Sequence, residues 1–394
     1  MSHINTVWPL MQAEISRQAG RIISPAMVSV LAGVAVFVLS MPVGADEQTA
    51  SDAASGHAPE MMLRRTIDHN GIEREYFVHV PQGHSGNLPV VIAVHGYTST
   101  ATGFAASHGL NRHADQHGYI AVYPQGSHFL ADDGQGGSYR VTSWNDLAAN
   151  LGPLDKGPHC IADADRYACP AECGECNRCA WTSCYDDVGF IEKMLDAVQS
   201  EFQTDSSRQY LLGVSNGGMM TLRLACNLSD RFAAVAPIIA QLAPGYDCGP
   251  DVDLPMLHLF GGEDDTVRFD GAPAGDGYIY TSAADTAATW AAALACETGP
   301  AAWQTEISES AGLRCTAYSD CRIAGHEVVS CMDPDGGHEW PEQYAPGLPA
   351  TCVTAEQYDS MPGQHRCESA TGEDIHLGMD LIWQFMSRYR TDNR

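Results

Sequence analysis

The stretch best suited to covalent chemistry is a serine between two glycines, Gly213-Val214-Ser215-Asn216-Gly217. QYLLGVS, which leads into it, reads as a buried strand, and GGMMTLRLACNL, which leads out, reads as a helix. A G-x-S-x-G pentapeptide is weak evidence alone. At a strand-to-helix junction it predicts a sharp elbow that lifts the serine hydroxyl above a sheet edge, with glycines relieving the crowding.

A serine hydroxyl is a poor nucleophile until a base takes its proton, and an acid must orient that base. With the serine first in the chain, the acid and then the base are expected after later strands. Glu263, Asp264 and Asp265 follow the predicted strand PMLHLFG, and spacing favours Asp265 over Asp264. His338 sits in the glycine turn DPDGGHEWP after the predicted strand GHEVVSCM and is the expected base. His258 and His326 lie within or beside strands, and His365 and His376 lie close to the terminal helix, so they fit the role worse. A developing oxyanion needs N–H donors, and the amides of Asn216 and of Tyr97, in the strand exit VHGYTST, are placed to supply them.

The elements that must position these groups alternate. Apolar strands are predicted at Tyr76–Pro81, Leu88–Gly96, Tyr119–Pro124, FAAVAPIIA and Pro255–Gly261. Helical spacing covers Ala101–His117, Val188–Phe202, TAATWAAALAC and the terminal HLGMDLIWQFMSRY. Either Asp186 or Asp187 is placed to cap the helix that begins near Val188. Strands buried on both faces that alternate with helices specify an α/β fold with a mostly parallel central sheet and helices on both sides. Residues 125–184 show no period and read as a long irregular segment.

At the N-terminus, Arg17 and Arg21 precede the apolar run MVSVLAGVAVFVLS, and Val43-Gly44-Ala45 fits a small-x-small cleavage site. This predicts a signal peptide at 1–45, a flexible leader at 46–70 and a single catalytic domain at 71–394. The mature protein is therefore expected to be secreted or periplasmic, with no membrane attachment after cleavage. A formal net charge of −28 argues against nucleic acid as a partner. Fourteen cysteines in an exported chain predict disulfides. The densest run, CPAECGECNRCAWTSC, lies in an insert at 158–184. Its repeats at Cys173, Cys176 and Cys179 resemble the start of a ferredoxin run, but four residues rather than three separate Cys179 from Cys184, and no proline follows. No metal and no cofactor are expected. The run reads as a disulfide-knotted loop walling one side of the site.

LPVVIAVHGY, YIAVYPQG, SWN, DDVGFI, GVSNGGMMTLRLAC, RFAAVAPI, GGEDDTV and GGHEWP occur in the order found in the secreted polyhydroxybutyrate depolymerase and feruloyl esterase family, over about Arg74 to Arg388. The chain resembles these α/β-hydrolase esterases of the carbohydrate esterase family 1 type. The resemblance implies Ser215, Asp265 and His338 as the triad. It also brings SWN near the substrate cleft, and Trp144 and Trp340 are expected to bind substrate, although by residue type alone Trp144 fits a core aromatic equally well. GGEDDTV is more acidic than the family's usual form, and the insert is richer in cysteine. The implied activity is hydrolysis of carboxylic esters, first of hydroxycinnamoyl (feruloyl) esters on plant cell-wall polysaccharide, with polyhydroxybutyrate or 3-hydroxybutyrate oligomers as the alternative. No C-terminal substrate-binding module is recognised after the terminal helix, which favours soluble or plant-wall esters. A catalytically silent binding protein and a peptidase on the same fold are the rival classes. An intact elbow, acid and base argue against the first, and no propeller or gating domain supports the second.

Overall fold

Continuous apolar runs such as VVIAV (90–94) and IAVY (120–123) can be satisfied only by a sheet covered on both faces. The computed structural model, which describes residues 62–132, 136–146, 159–174, 176, 179, 183–246, 248–249, 252–338 and 377–393, has that arrangement. Its strands are β1 (Leu63–His69), β2 (Ile72–His79), β3 (Leu88–Val94), β4 (Ile120–Pro124), β5 (Ser127–Asp132), β6 (Ser138–Ser143), β7 (Thr204–Val214), β8 (Ala234–Ile238), β9 (Met256–Gly261), β10 (Thr298–Trp303), β11 (Arg314–Ser319) and β12 (Val328–Asp333). The helices are α1 (Ala101–Ser107), α2 (Leu110–His117), α3 (Asp187–Glu201), α4 (Asn216–Asn227), α5 (Ala283–Ala293), α6 (Glu306–Ser310) and α7 (Leu377–Met386).

Among the described residues ten strands form one sheet, in the order β1-β2-β4-β3-β7-β8-β9-β12-β11-β10. The six central strands β4, β3, β7, β8, β9 and β12 are parallel, and the pairings outward from them are antiparallel. A mostly parallel sheet with an antiparallel second strand, the nucleophile elbow after a central strand and helices on both faces is the α/β-hydrolase arrangement, as expected.

Two-residue periodicity divides the core. Val91 and Ala93 of β3, with Tyr210 and Leu212 of β7, point toward α1, α2 and α7, where Phe104, Leu110, Ile382 and Phe385 pack on them. Val90, Ile92 and Val94, with Leu211, point to the other face, against Phe190, Met194, Leu222 and Trp290 of α3, α4 and α5. Burying each such side chain contributes about 1.5–3 kcal/mol.

Four sequence expectations change. The leader assigned to 46–70 ends sooner, because β1 pairs residue by residue with β2 from Leu63↔Val78 to His69↔Ile72. Its exposed, Arg-rich edge pattern hides it from a composition reading. The segment 125–184 contains the hairpin β5–β6, whose strand Ser127–Asp132 alternates buried and exposed. The single helix expected at Ala101–His117 is broken at Gly109, which adopts a left-handed conformation (φ 62°) between α1 and α2. The antiparallel pair β10–β11 was not anticipated. Residues 1–61, which hold the expected signal peptide, lie outside the described residues.

The expected disulfides are present among the described residues. Six disulfides join Cys160–Cys179, Cys169–Cys176, Cys173–Cys184, Cys226–Cys248, Cys296–Cys321 and Cys315–Cys331. Cys352 and Cys367 lie outside the described residues. Among the described residues no helix is long and apolar enough to cross a membrane.

Candidate active site

Strand β7 runs directly into Ser215, whose backbone turns to φ 55°, ψ −124° before α4 begins at Asn216. This non-glycine residue in a sparsely populated region is the expected elbow, held by Ser215 N–H donating to Ile238 O at 2.9 Å and Met219 N–H donating to Ser215 O at 2.9 Å. The flanking glycine is a steric necessity. A Cβ on Gly217 would lie 2.2 Å from Val94 O and 2.3 Å from His95 O. The elbow is therefore packed directly on the exit of β3, the loop that carries Tyr97.

His338 reaches both partners it needs. Its Nε2 lies 2.9 Å from Ser215 Oγ and its Nδ1 lies 2.9 Å from Asp264 Oδ2. Asp264, not Asp265, is the carboxylate on His338. The Asp264 side chain is fully buried, and its Oδ1 accepts from the Thr266 and Val267 amides at 2.8 and 2.9 Å. Two amides on one oxygen fix the carboxylate so that the other oxygen addresses the imidazole. Asp265 turns outward, 74% exposed, and pairs loosely with Arg268 at 3.4 Å. Choosing Asp265 by spacing failed because successive residues of a turn point in different directions, which no strand or helix period describes. The GG pair before the acid has its own reason, since a Cβ on Gly261 would lie 2.3 Å from Gly336 O in the histidine turn. The acid and base loops thus touch through backbone.

The amide of Asn216 is the first N–H of α4, where no intrahelical acceptor exists. Tyr97 follows His95 and Gly96 on the β3 exit that Gly217 packs against. That loop is immobilised by His95, whose Nδ1 bonds Gly96 O at 2.8 Å while Nε2 accepts from the Gly126 amide at 3.0 Å. Burial pushes His95 down to about 4, so it stays a neutral ring able to donate on one side and accept on the other.

Trp144 is corrected as a substrate contact. It is fully buried, its indole N–H donates to His95 O at 2.8 Å, and its amide donates to Asn216 Oδ1 at 2.9 Å. The SWN segment is thus a brace beneath the site rather than a surface of it. Trp340 lies outside the described residues.

Sequence reasoning missed the polar network around this brace. Asn216 Nδ2 donates to Asp146 Oδ2 at 2.7 Å. Arg74 donates to Asp187 Oδ1 at 2.7 Å, and Asp187 Oδ2 accepts the Asn145 amide at 2.7 Å. Asp186 caps α3 by accepting from the Gly189 amide, which frees Asp187 to turn inward. The adjacent acids of DDVGFI were the available signal, with two carboxylates at one helix start and room for only one as the cap.

The cysteine-rich insert docks beside the elbow. Ile161 and Asp165 donate their amides to Gly277 O and Asp276 O, and Ile279 donates to His159 O. Cys160 and Ala164 share an apolar cluster with Met219 of α4, Val267 behind the acid, Tyr278 and Tyr280. Tyr167 packs edge-on against both Tyr97 and Tyr278, with ring centroids 5.9 and 5.6 Å away. The surroundings of Met219 on α4 are therefore aromatic and tied to the Cys160–Cys179 disulfide.

No family model matches the chain. Curated relatives do. The NocK protein of Nocardia uniformis subsp. tsuyamanensis is 27% identical over 300 residues, 71% of this chain and 74% of that one. Poly(3-hydroxyalkanoate) depolymerase C of Paucimonas lemoignei is 27% identical over 52% of this chain and 39% of its own length. Feruloyl esterase C of Emericella nidulans is 28% identical over 39% and 50% respectively. The chain resembles the polyhydroxybutyrate depolymerase and feruloyl esterase family. The match spans half or less of the length of the depolymerase and the feruloyl esterase. Among solved structures, acetyl xylan esterase from Aspergillus awamori aligns with a TM-score of 0.46 at 16% identity, covering 70% of this chain and 94% of that one. The coarse activity that the curated relatives support is that of a carboxylic ester hydrolase.

Proposed function

We propose that the chain is an exported serine esterase that hydrolyses hydroxycinnamoyl esters, such as feruloyl groups on plant cell-wall polysaccharide. The observation that carries the reading is the relay Ser215–His338–Asp264, with both hydrogen bonds at 2.9 Å. His338 Nε2 takes the Ser215 proton as Oγ bonds the ester carbonyl carbon. The Tyr97 and Asn216 amides receive the oxyanion, and Asp264 stabilises the imidazolium. Collapse of the tetrahedral intermediate breaks the ester C–O bond, and His338 gives its proton to the departing alkoxide. Water, deprotonated by the same ring, then attacks the acyl-enzyme and frees the acid and Ser215.

The aromatic acyl group is supported by Tyr97 and Tyr167, two partly exposed rings packed edge-on to each other, with Tyr278 buried behind them. Export is supported by the six disulfides, which persist in oxidising compartments. Similarity to the poly(3-hydroxyalkanoate) depolymerase favours 3-hydroxybutyrate esters as the second reading.

Two measurements test this. A fluorophosphonate probe is expected to label Ser215, and Ser215→Ala is expected to lower turnover of an aryl ester by about 10⁶; a variant keeping a tenth of the activity would remove the serine mechanism. Incubation with feruloylated xylan and, separately, with polyhydroxybutyrate film is expected to release ferulate without clearing the film. The reverse result would select the second substrate.

A further inference from the structure

His113 and His117 lie four residues apart on α2, so their side chains share one helix face. Their rings are 4.1 Å apart between centroids. Asp380, on the first turn of α7, faces both: its Oδ1 is 3.1 Å from His113 Nε2 and 3.6 Å from His117 Nε2. The three donor atoms all lie within 4.8 Å of one another. The His113 side chain is fully buried, whereas those of His117 and Asp380 are about one-third exposed.

From these residues we infer a divalent metal site of two imidazoles and one carboxylate, suited to zinc or a similar borderline ion, clamping α7 to α2. The spacing fits. Zinc takes ligands at about 2.0–2.1 Å in a tetrahedron, which separates ligand atoms by about 3.3 Å. The two measured separations to Asp380 fall on either side of that value.

The hydrogen bonding behind His113 points the same way. Tyr119 Oη donates to Leu110 O at 3.3 Å and meets His113 Nδ1 at 3.0 Å. With the Tyr119 hydrogen directed to Leu110 O, Nδ1 carries the hydrogen that meets Oη, and Nε2 then presents a lone pair to a carboxylate oxygen. Two acceptors at that distance need a positive species between them. A proton needs only those two, whereas the third donor, His117 Nε2, gathers where a metal ion would be held. A tyrosine hydroxyl that orients a ligating imidazole through its far nitrogen is the usual kind of outer support. The fourth position would be open to water on the exposed side.

The site lies on the sheet face that carries Phe104 and Phe385, whereas α4 packs on the other face. It therefore takes no part in the chemistry of Ser215. Its consequence would be mechanical. α2 follows α1 in the chain and α7 is the terminal helix, so one ion would tie two helices that pack on the same sheet face.

The test uses tag-free full-length protein stripped with EDTA, dialysed, and titrated with ZnCl₂ by calorimetry at neutral pH. One equivalent is expected to bind saturably and raise Tm by several degrees. Cobalt(II) in its place is expected to give the visible absorption of a tetrahedral site. His117→Ala and Asp380→Asn, both partly exposed and expected to fold, should each weaken zinc binding on the order of tenfold or more while leaving ester hydrolysis by the stripped protein unchanged. Absence of saturable binding by the unmodified protein, or full affinity in His117→Ala, overturns the site.

Discussion

Asp264 and Asp265 are sequence neighbours with opposite environments: the side chain of the first is fully buried on His338 Nδ1 at 2.9 Å, and that of the second is 74% exposed beside Arg268. Only the buried carboxylate can fix the ring's tautomer and meet its positive charge as the serine proton arrives. Asp264→Asn is therefore expected to lower kcat by about 10⁴ with the fold intact. Asp265→Asn should stay within about twofold, as a surface substitution away from the reacting atoms. Steady-state kinetics of the two variants on one aryl ester decide the matter, and equal losses would show that the acid is misassigned.

The close approach of the elbow to β3 leads to a second expectation. With Val94 O and His95 O at 2.2 and 2.3 Å from a Cβ at Gly217, even alanine must push two backbone carbonyls aside. Neither belongs to a flexible side chain that could swing away. Gly217→Ala is expected to destabilise the protein by about 3 kcal/mol or more, beyond the usual cost of overpacking. The folded fraction should lose kcat more than KM, because the displaced strand exit carries Tyr97. Urea unfolding combined with single-turnover kinetics would reveal both effects; wild-type values in each would mean the contact relaxes without cost.

What the sequence disclosed and what it hid divide along physical lines. Ser215 was legible because the elbow compresses a strand, a turn and a helix into consecutive residues. His338 was legible because a glycine turn marks a chain reversal. The parallel centre of the sheet announced itself through strands apolar at every position, such as β4. The edge strand β1 did not, since a strand with one solvated face and charged Arg64 and Arg65 resembles a loop in composition. Trp144 could not be assigned to brace or cleft from its type, because an indole serves both. Nor could the Arg74–Asp187 contact be read, since 113 residues separate the partners and neither belongs to a periodic pattern.

That same ion pair gives a third expectation. Arg74 is 5% exposed, Asp187 is fully buried, and the guanidinium also lies 4.1 Å over the Phe190 ring. Breaking the pair leaves a buried charge, so Asp187→Asn or Arg74→Met alone should cost about 3–5 kcal/mol. Replacing both with apolar residues removes the two desolvation costs together and should lose much less than the sum. A double-mutant cycle by urea denaturation measures the difference. Simple additivity would mean the pair is screened. Because Asp187 also holds the Asn145 amide, the single variants should slow turnover even where they fold.

Buried histidines set the acid limit. His95, His108 and His258 are each pushed from the ordinary 6.5 to about 4, by burial above all. The unfolded chain takes up their protons near pH 6.5, and the folded chain resists until about pH 4. Their contribution to stability is therefore complete above pH 6.5 and declines as pH falls toward 4, below which the loss levels off. Each group adds a slope of about 1.4 kcal/mol per pH unit inside that window. His258 is the cleanest test, because its Nε2–H donates to Ala240 O at 3.0 Å and it touches no reacting group. Glutamine can keep that donation but cannot take up a proton. His258→Gln should thus lower stability at neutral pH yet flatten its decline between pH 6.5 and 4 by roughly one histidine's share. Urea midpoints across that range provide the measurement, and an unchanged pH slope would mean that His258 does not resist protonation in the folded state.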